Sequence, residues 1–139
     1  MSVEENKALY GRLYGEILNK GNFDIVDEVF DANYVMHDAH SPVSGPDELK
    51  GLMTAYRTAF PDIRFTVEEL VAEGDKVVKR WTIRGTHNGD LMGIAPTGKK
   101  VEVTGMTMAR FAGGKLVEEW EAADMLSLMQ QVGAIPTPE

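Results

Sequence analysis

Near one end the segment KLVEEWEAAD, residues 115–124, sets three residues able to do chemistry at even steps: Glu118, Trp120 and Asp124. Successive side chains of a strand point to opposite faces. The parity therefore predicts one face with Leu116, Glu118, Trp120, Ala122 and Asp124, and another with Val117, Glu119, Glu121 and Ala123. A carboxylate beyond a tryptophan, beside Leu116 and Ala122, is costly to bury without a purpose, and proton transfer is a purpose it could serve. Asp124 is the first candidate for a general acid/base, with Trp120 placed either to stack on a flat ligand or to fill core. Asp124 also has a structural alternative. At Met125 the spacing turns helical, with Met125, Leu128, Met129 and Val132 on one side and Gly133 as a stop, so Asp124 could cap that helix.

Other candidates carry paired readings of the same kind. Glu118 could pair with Arg110 across a hairpin turn at Gly113 and Gly114, or Arg110 could polarise a carbonyl. His37, Asp38 and His40 suggest a metal cluster, but positions 37 and 40 of an extended segment face opposite ways and no second ligand motif occurs. No metal is expected, and His37 is placed instead at a pocket mouth. Tyr14 and Tyr56 fall on the inner sides of their helices and could supply hydroxyls to a pocket. Eight methionines, Met106 and Met108 among them, could shape an adaptable site for a planar ligand or fill core gaps.

The elements that must position these residues follow from periodicity. Apolar spacing predicts a helix over residues 3–20, and a short one from residue 22 or 23 to 30 capped by Asn22. A strand over 33–37, a loop at SPVSGP and a helix from Pro46 to Phe60 come next. Alternating runs then predict strands at 64–73, 76–87, 100–111 and 115–123, with Gly74–Asp75 and Gly113–Gly114 as hairpin turns. Residues 88–98 are too rich in Gly and Pro for either regular element, and could form a lid or a rigid turn. Helices first and an antiparallel sheet afterwards predict one α+β domain spanning 1–139, its curved sheet enclosing a ligand cavity.

The totals narrow the partner. A chain of 139 residues with formal charge −8 has no net basic surface for nucleic acid. The absence of cysteine excludes disulfides and thiolate chemistry. No run approaches the roughly 20 apolar residues of a membrane span, and no signal-peptide run opens the chain, so a cytoplasmic location is expected. An uncharged or weakly polar small molecule, or another protein, is the expected partner, and Trp120 with the methionines would suit a hydrophobic, planar ligand.

Specific runs sharpen this. RGTHNGDLMGIAPTGKKVEVTG at 84–105, GGKLVEEWEAADMLSLMQQVG at 113–133 and VMHDAHSPVSGPDELKG at 35–51 together resemble the SnoaL-like polyketide cyclases of the nuclear-transport-factor-2-like superfamily. The resemblance covers essentially the whole chain. It implies a cone-shaped fold with N-terminal helices in the concave face of a curved mixed or antiparallel sheet, and a homo-oligomer, dimer or tetramer. It also implies ring closure of an aromatic polyketide ester by intramolecular aldol addition, with neither cofactor nor metal. The strand-end aspartate that serves as acid/base in that family matches Asp124. His87 or His37 would be a polar helper, with His87 able to protonate an enolate oxygen or, alternatively, to bond a backbone carbonyl. The superfamily also hosts other activities. An epoxide-hydrolase type would need an Asp–Arg–Asp set, for which Asp124, Arg80 or Arg110, and Asp38 supply pieces. An isomerase type would need a tyrosine and a second acid. A non-catalytic ligand-binding or dimerisation module is the remaining alternative.

Overall fold

The computed structural model describes residues 2–136. Ser2 opens helix α1 (Val3–Tyr14) with a capping box: its hydroxyl accepts the Glu5 N–H and the Glu5 carboxylate accepts the Ser2 N–H, both at 3.1 Å. The helix does not continue as α to residue 20. It widens into a π-helical turn at Gly15–Asn19. There the Asn19 side chain bonds Phe65 twice, donating to its carbonyl at 3.0 Å and accepting from its N–H at 2.7 Å, which ties the helix end to the sheet. Helix α2 (Asp24–Val29) starts after Phe23 without a side-chain cap, so Asn22 does not play the capping part its type suggested.

Strand β1 (Phe30–His37) begins three residues earlier than its pattern indicated, and the SPVSGP loop contributes a two-residue strand, β2 (Val43–Ser44), paired to it. Helix α3 (Pro46–Ala59) has proline in its first turn, where the missing N–H costs nothing. Four long strands follow: β3 (Arg64–Glu73), β4 (Lys76–Thr86), β5 (Lys100–Ala112) and β6 (Lys115–Ala123). Helix α4 (Met125–Gln131) comes last. The sheet order is β2-β1-β6-β5-β4-β3, and β1 and β6 make its parallel pair, so the sheet is mixed. Among the described residues no helix is long and apolar enough to cross a membrane.

Helices lie on the concave side of this curved sheet. Strand β4 sends Val77, Lys79 and Trp81 into that side, and β5 sends Val101, Val103, Thr107, Ala109 and Phe111. Gly105 completes the β5 series for a steric reason, since a Cβ there would stand 2.3 Å from the Trp81 ring. Strand β6 breaks the expected parity. Phe111 pairs with Leu116 and Arg110 with Glu118, which leaves Val117 as an extra residue in a bulge. One extra residue reverses the alternation beyond it. Leu116 therefore shares the inner face with Glu119, Glu121 and Ala123, while Glu118, Trp120 and Ala122 face outward.

Candidate active site

Beneath the helices lies a buried polar cluster that hydrophobic patterning does not require. Glu119 is fully buried on β6 and accepts three phenol hydrogens. Tyr14 and Tyr34 each donate to Oε1 at 2.5 Å, and Tyr10 donates to Oε2. Tyr10 and Tyr14 sit one helical turn apart on α1, so both hydroxyls reach one acceptor. Burial first, and then the Glu119 charge, push all three phenols well above their ordinary range, so they remain donors. Lys79 is 2% exposed, with its ammonium 3.4 Å from the centre of the Tyr14 ring and 4.3 Å from that of Tyr10. Burial pulls Lys79 down to about 8, against the opposing pull of Glu119 and Glu121.

Next to this cluster is an apolar cavity of about 50 Å³. Met53, Phe60, Trp81, Val103, Met125 and Leu128 wall it, and the polar lining comes from Tyr14, Tyr56 and Glu121. Glu121 Oε1 accepts the Thr107 hydroxyl at 3.1 Å, and Thr107 accepts the Trp81 indole N–H at 2.9 Å. Burial, a hydrogen bond with Asp38 and the nearby Glu119 charge raise Glu121 to about 8. A carboxyl raised in this direction is better matched to exchanging a proton with a bound molecule than an exposed carboxylate is. Burial also raises Tyr56 to about 12, helped by Glu121 and Asp38.

The residues singled out from sequence divide between two faces. Tyr14 and Tyr56 line the cavity. Trp120, His37, Glu118, Arg110, Met106 and Met108 form a separate group on the convex face. There His37 Nε2 lies 2.6 Å from Glu118, Arg110 reaches the same carboxylate at 3.1 Å, and the His37 and Trp120 rings stack 5.6 Å apart. Met106 is 52% exposed. The tryptophan in the cavity wall is Trp81, and the expectation of Trp120 beside Asp124 in an interior site fails at the Val117 bulge.

Asp124 is exposed at the N-cap of α4, its Oδ1 accepting the Ser127 N–H at 3.0 Å. Its neighbours Ala123 and Met125 line the cavity and it does not. His87 is fully buried behind Phe60, with ring centres 6.0 Å apart. Its Nδ1 accepts the Thr97 backbone N–H at 3.3 Å, so it holds the base of the 88–98 loop together. The Gly89 amide sits so close to α3 that a Cβ would meet the Thr58 carbonyl oxygen at 2.0 Å, which makes the start of this loop a docked turn. Among the described residues no three His, Asp or Glu side chains converge as metal ligands would.

Sequence reasoning missed Glu119, Glu121, Lys79, Thr107 and Trp81. A signal was present: Lys79 alternates with Val77 and Trp81, an inward pattern that requires a buried partner for its charge. Two tyrosines four residues apart on α1 likewise require an acceptor once both face inward.

A curved mixed sheet closed by helices over an aromatic cavity is the architecture of a nuclear-transport-factor-2-like α+β protein. The model of the SnoaL-like polyketide cyclase family matches residues 8–132, and the chain belongs to that family. An aklanonic acid methyl ester cyclase of Streptomyces peucetius is 29% identical over 129 residues, covering 89% of both chains. Another, from Streptomyces sp. strain C5, is 29% identical over 130 residues, 89% of this chain and 80% of that one. Among solved structures, AclR of Streptomyces galilaeus, a proposed hydroxylase, superposes with a TM-score of 0.86 at 31% identity over 97% of this chain and 100% of its own. TsrD of Streptomyces laurentii superposes at 0.87 with 23% identity, over 97% and 99% of the two chains, a likeness of fold alone.

Proposed function

We propose that this chain closes a ring in a polyketide-type ester by cofactor-independent intramolecular aldol addition. The observation that carries this reading is the apolar cavity beneath the sheet, with the Glu121 carboxyl as the acid in its wall. An aldol closure needs little else. The proton to be removed, between an ester and a conjugated ketone, is already acidic, so one carboxyl of modest basicity can take it and return it to the new alkoxide. The walls must hold the substrate folded for attack. The cavity as it stands has room for a water molecule or two, so a ring system enters by displacing side chains. Met53 and Met125 are suited to that because unbranched thioethers repack at little cost. Two relatives are named for aklanonic acid methyl ester, so polyketide methyl esters of that kind are the first compounds to try.

The test is turnover of an activated polyketide methyl ester by the wild-type protein and by Glu121→Gln and Asp124→Asn. Asparagine caps helices as well as aspartate does, so Asp124→Asn removes the acid while keeping α4 in place. Ring closure by the wild type, lost in one of the two variants, supports the reading and identifies its carboxyl. A wild type that neither binds nor converts such an ester would overturn it.

A further inference from the structure

A space of about 50 Å³ admits a ring system only if part of its wall gives way, and the walls are not equally bound. Strands β4, β5 and β6 are joined by their ladders. Helix α1 is tied down by the bonds of Tyr10 and Tyr14 to Glu119. At the end of α3 the Ala59 carbonyl accepts the N–H groups of Asn88 and Gly89, both at 3.1 Å, and the Arg57 Nε–H donates to the Leu18 carbonyl at 3.2 Å. Helix α4 is different. Its seven residues are about half of what an isolated helix needs to persist in water. One side supplies Met125 and Leu128 to the cavity wall, while Leu126 on the other is 59% exposed.

The attachment of α4 to the sheet uses a side chain where a strand would otherwise lie. Strand β5 starts at Lys100, yet its pairing with β6 reaches only to Gly105 with Ala123. On the edge left over, the Thr104 carbonyl accepts the Asp124 N–H at 3.0 Å. Two residues further along that edge the Gln131 amide stands in for a backbone pair. Its Oε1 accepts the Glu102 N–H and its Nε2 donates to the Glu102 carbonyl, both at 2.8 Å. The Nε2 group also donates to Ser127 Oγ at 2.8 Å, which fixes the way round the amide sits. Such an attachment can let go without unpairing any strand.

We infer that α4 is the door of the cavity, hinged at Asp124 and latched to β5 by the two bonds between Gln131 and Glu102. Release withdraws Met125 and Leu128 together and gives a ring system the room that the closed form lacks. A helix this short does not stay ordered once undocked, so opening is a local unfolding that leaves the strands and the tyrosine cluster in place. The inference rests on the proposed function only in taking this cavity as the place where a substrate binds.

Two measurements on the full chain test the door without a polyketide substrate. Hydrogen exchange reads the opening. The Leu128 and Val132 amides, bonded to the Asp124 and Leu128 carbonyls, are expected to exchange faster than the amides of the β4–β5 ladder. In Gln131→Ala their exchange should rise on the order of tenfold, the worth of the two lost bonds, with the ladder unchanged. Entry is read in a Trp120→Phe background, which leaves Trp81 in the cavity wall as the remaining tryptophan. Its quenching by methyl 4-nitrobenzoate, a neutral planar ester that quenches tryptophan on contact, is followed by stopped flow. The association rate should rise in Gln131→Ala by the same factor as the α4 exchange.

Wild-type α4 amides that exchange only together with the ladder would overturn the door, and this comparison stands even if Gln131→Ala fails to fold. An association rate indifferent to Gln131→Ala while α4 exchange rises would put the entrance elsewhere and overturn it too. So would a Trp81 signal that the nitro ester leaves untouched. A chain that takes up the nitro ester past α4 and converts no polyketide ester would lose the proposed function and keep its door.

Discussion

Two neighbouring glutamates on opposite faces of one strand end up as different chemical groups. Glu118 faces out, where His37 and then Arg110 hold its carboxyl below the usual range. Glu121, three residues on, faces in, and burial and Asp38 raise it to about 8. Glu119, next to Glu118 in sequence, is closed in by three tyrosines. The residue type is constant, so the contrast comes from the side of the sheet and from what the opposing elements bring to it. Arg110 supplies a cation and His37 a hydrogen bond on the convex side; on the concave side α1 and β1 supply neutral donors, and the turn after β1 supplies a second acid. The proton transfer proposed above needs the second environment, because the first yields only a solvated anion.

The comparison is broken most severely at Glu119. Replacing it with Ala would strand three buried phenol hydrogens and deprive Lys79 of its nearby counter-charge, so a loss of about 3–5 kcal/mol in urea unfolding is expected. Glu119→Gln keeps the shape and an acceptor oxygen and should cost about half as much. A loss in Glu119→Ala no larger than that of an ordinary surface substitution would mean the tyrosine cluster does not hold the concave face together.

Glu121 and Glu118 should also carry pH dependences of opposite sign. Glu121 is raised from 4.5 to about 8 in the folded chain, so the folded state binds the extra proton between those values. Stability from this group is therefore fully present below its ordinary value and is lost as pH rises through the folded one. Glu118 is lowered, so its contribution is present above its ordinary value and is lost on acidification. Thermal unfolding of Glu121→Gln, followed from acid to alkaline pH across both values, should show a flatter fall toward alkaline pH than the wild type. An unchanged slope would mean Glu121 is an ordinary surface acid.

How much of this was legible in sequence follows the same division. The strands β3 and β6, and the start of α3 at Pro46, were readable because alternation and turn residues are local. The faces of β6 were not, because the Val117 bulge arises from pairing with Arg110 and Phe111 and leaves no mark in the segment itself. Leu116 looked like an anchor for the face of Glu118 and Trp120 and is an anchor for the opposite one. Tyr14 and Tyr56 could be set on inward helix faces from their spacing, whereas the nearness of Asp38 to Glu121 depends on β1 lying parallel to β6, a contact between segments far apart in the chain. His87 and Asp124 were conspicuous by type. The structure gives each a local bonding task, at the loop base and at the α4 cap.

The smallest effect is expected on the convex face, and it is the one that isolates the contribution of environment. Glu118→Gln removes the charge that Arg110 and His37 share while leaving a side chain of the same size on β6. All three groups reach solvent, so screening and the entropy of holding long side chains in place cancel most of the attraction. The unfolding midpoint should therefore move less than in either concave-face variant, and what difference there is should shrink further as salt is raised. The concave-face losses should not shrink in that way, because water and counter-ions do not reach Glu119. If Glu118→Gln proved as damaging as Glu119→Ala, and stayed so at high salt, the convex cluster would have to be buried in solution, by another surface covering His37 and Trp120.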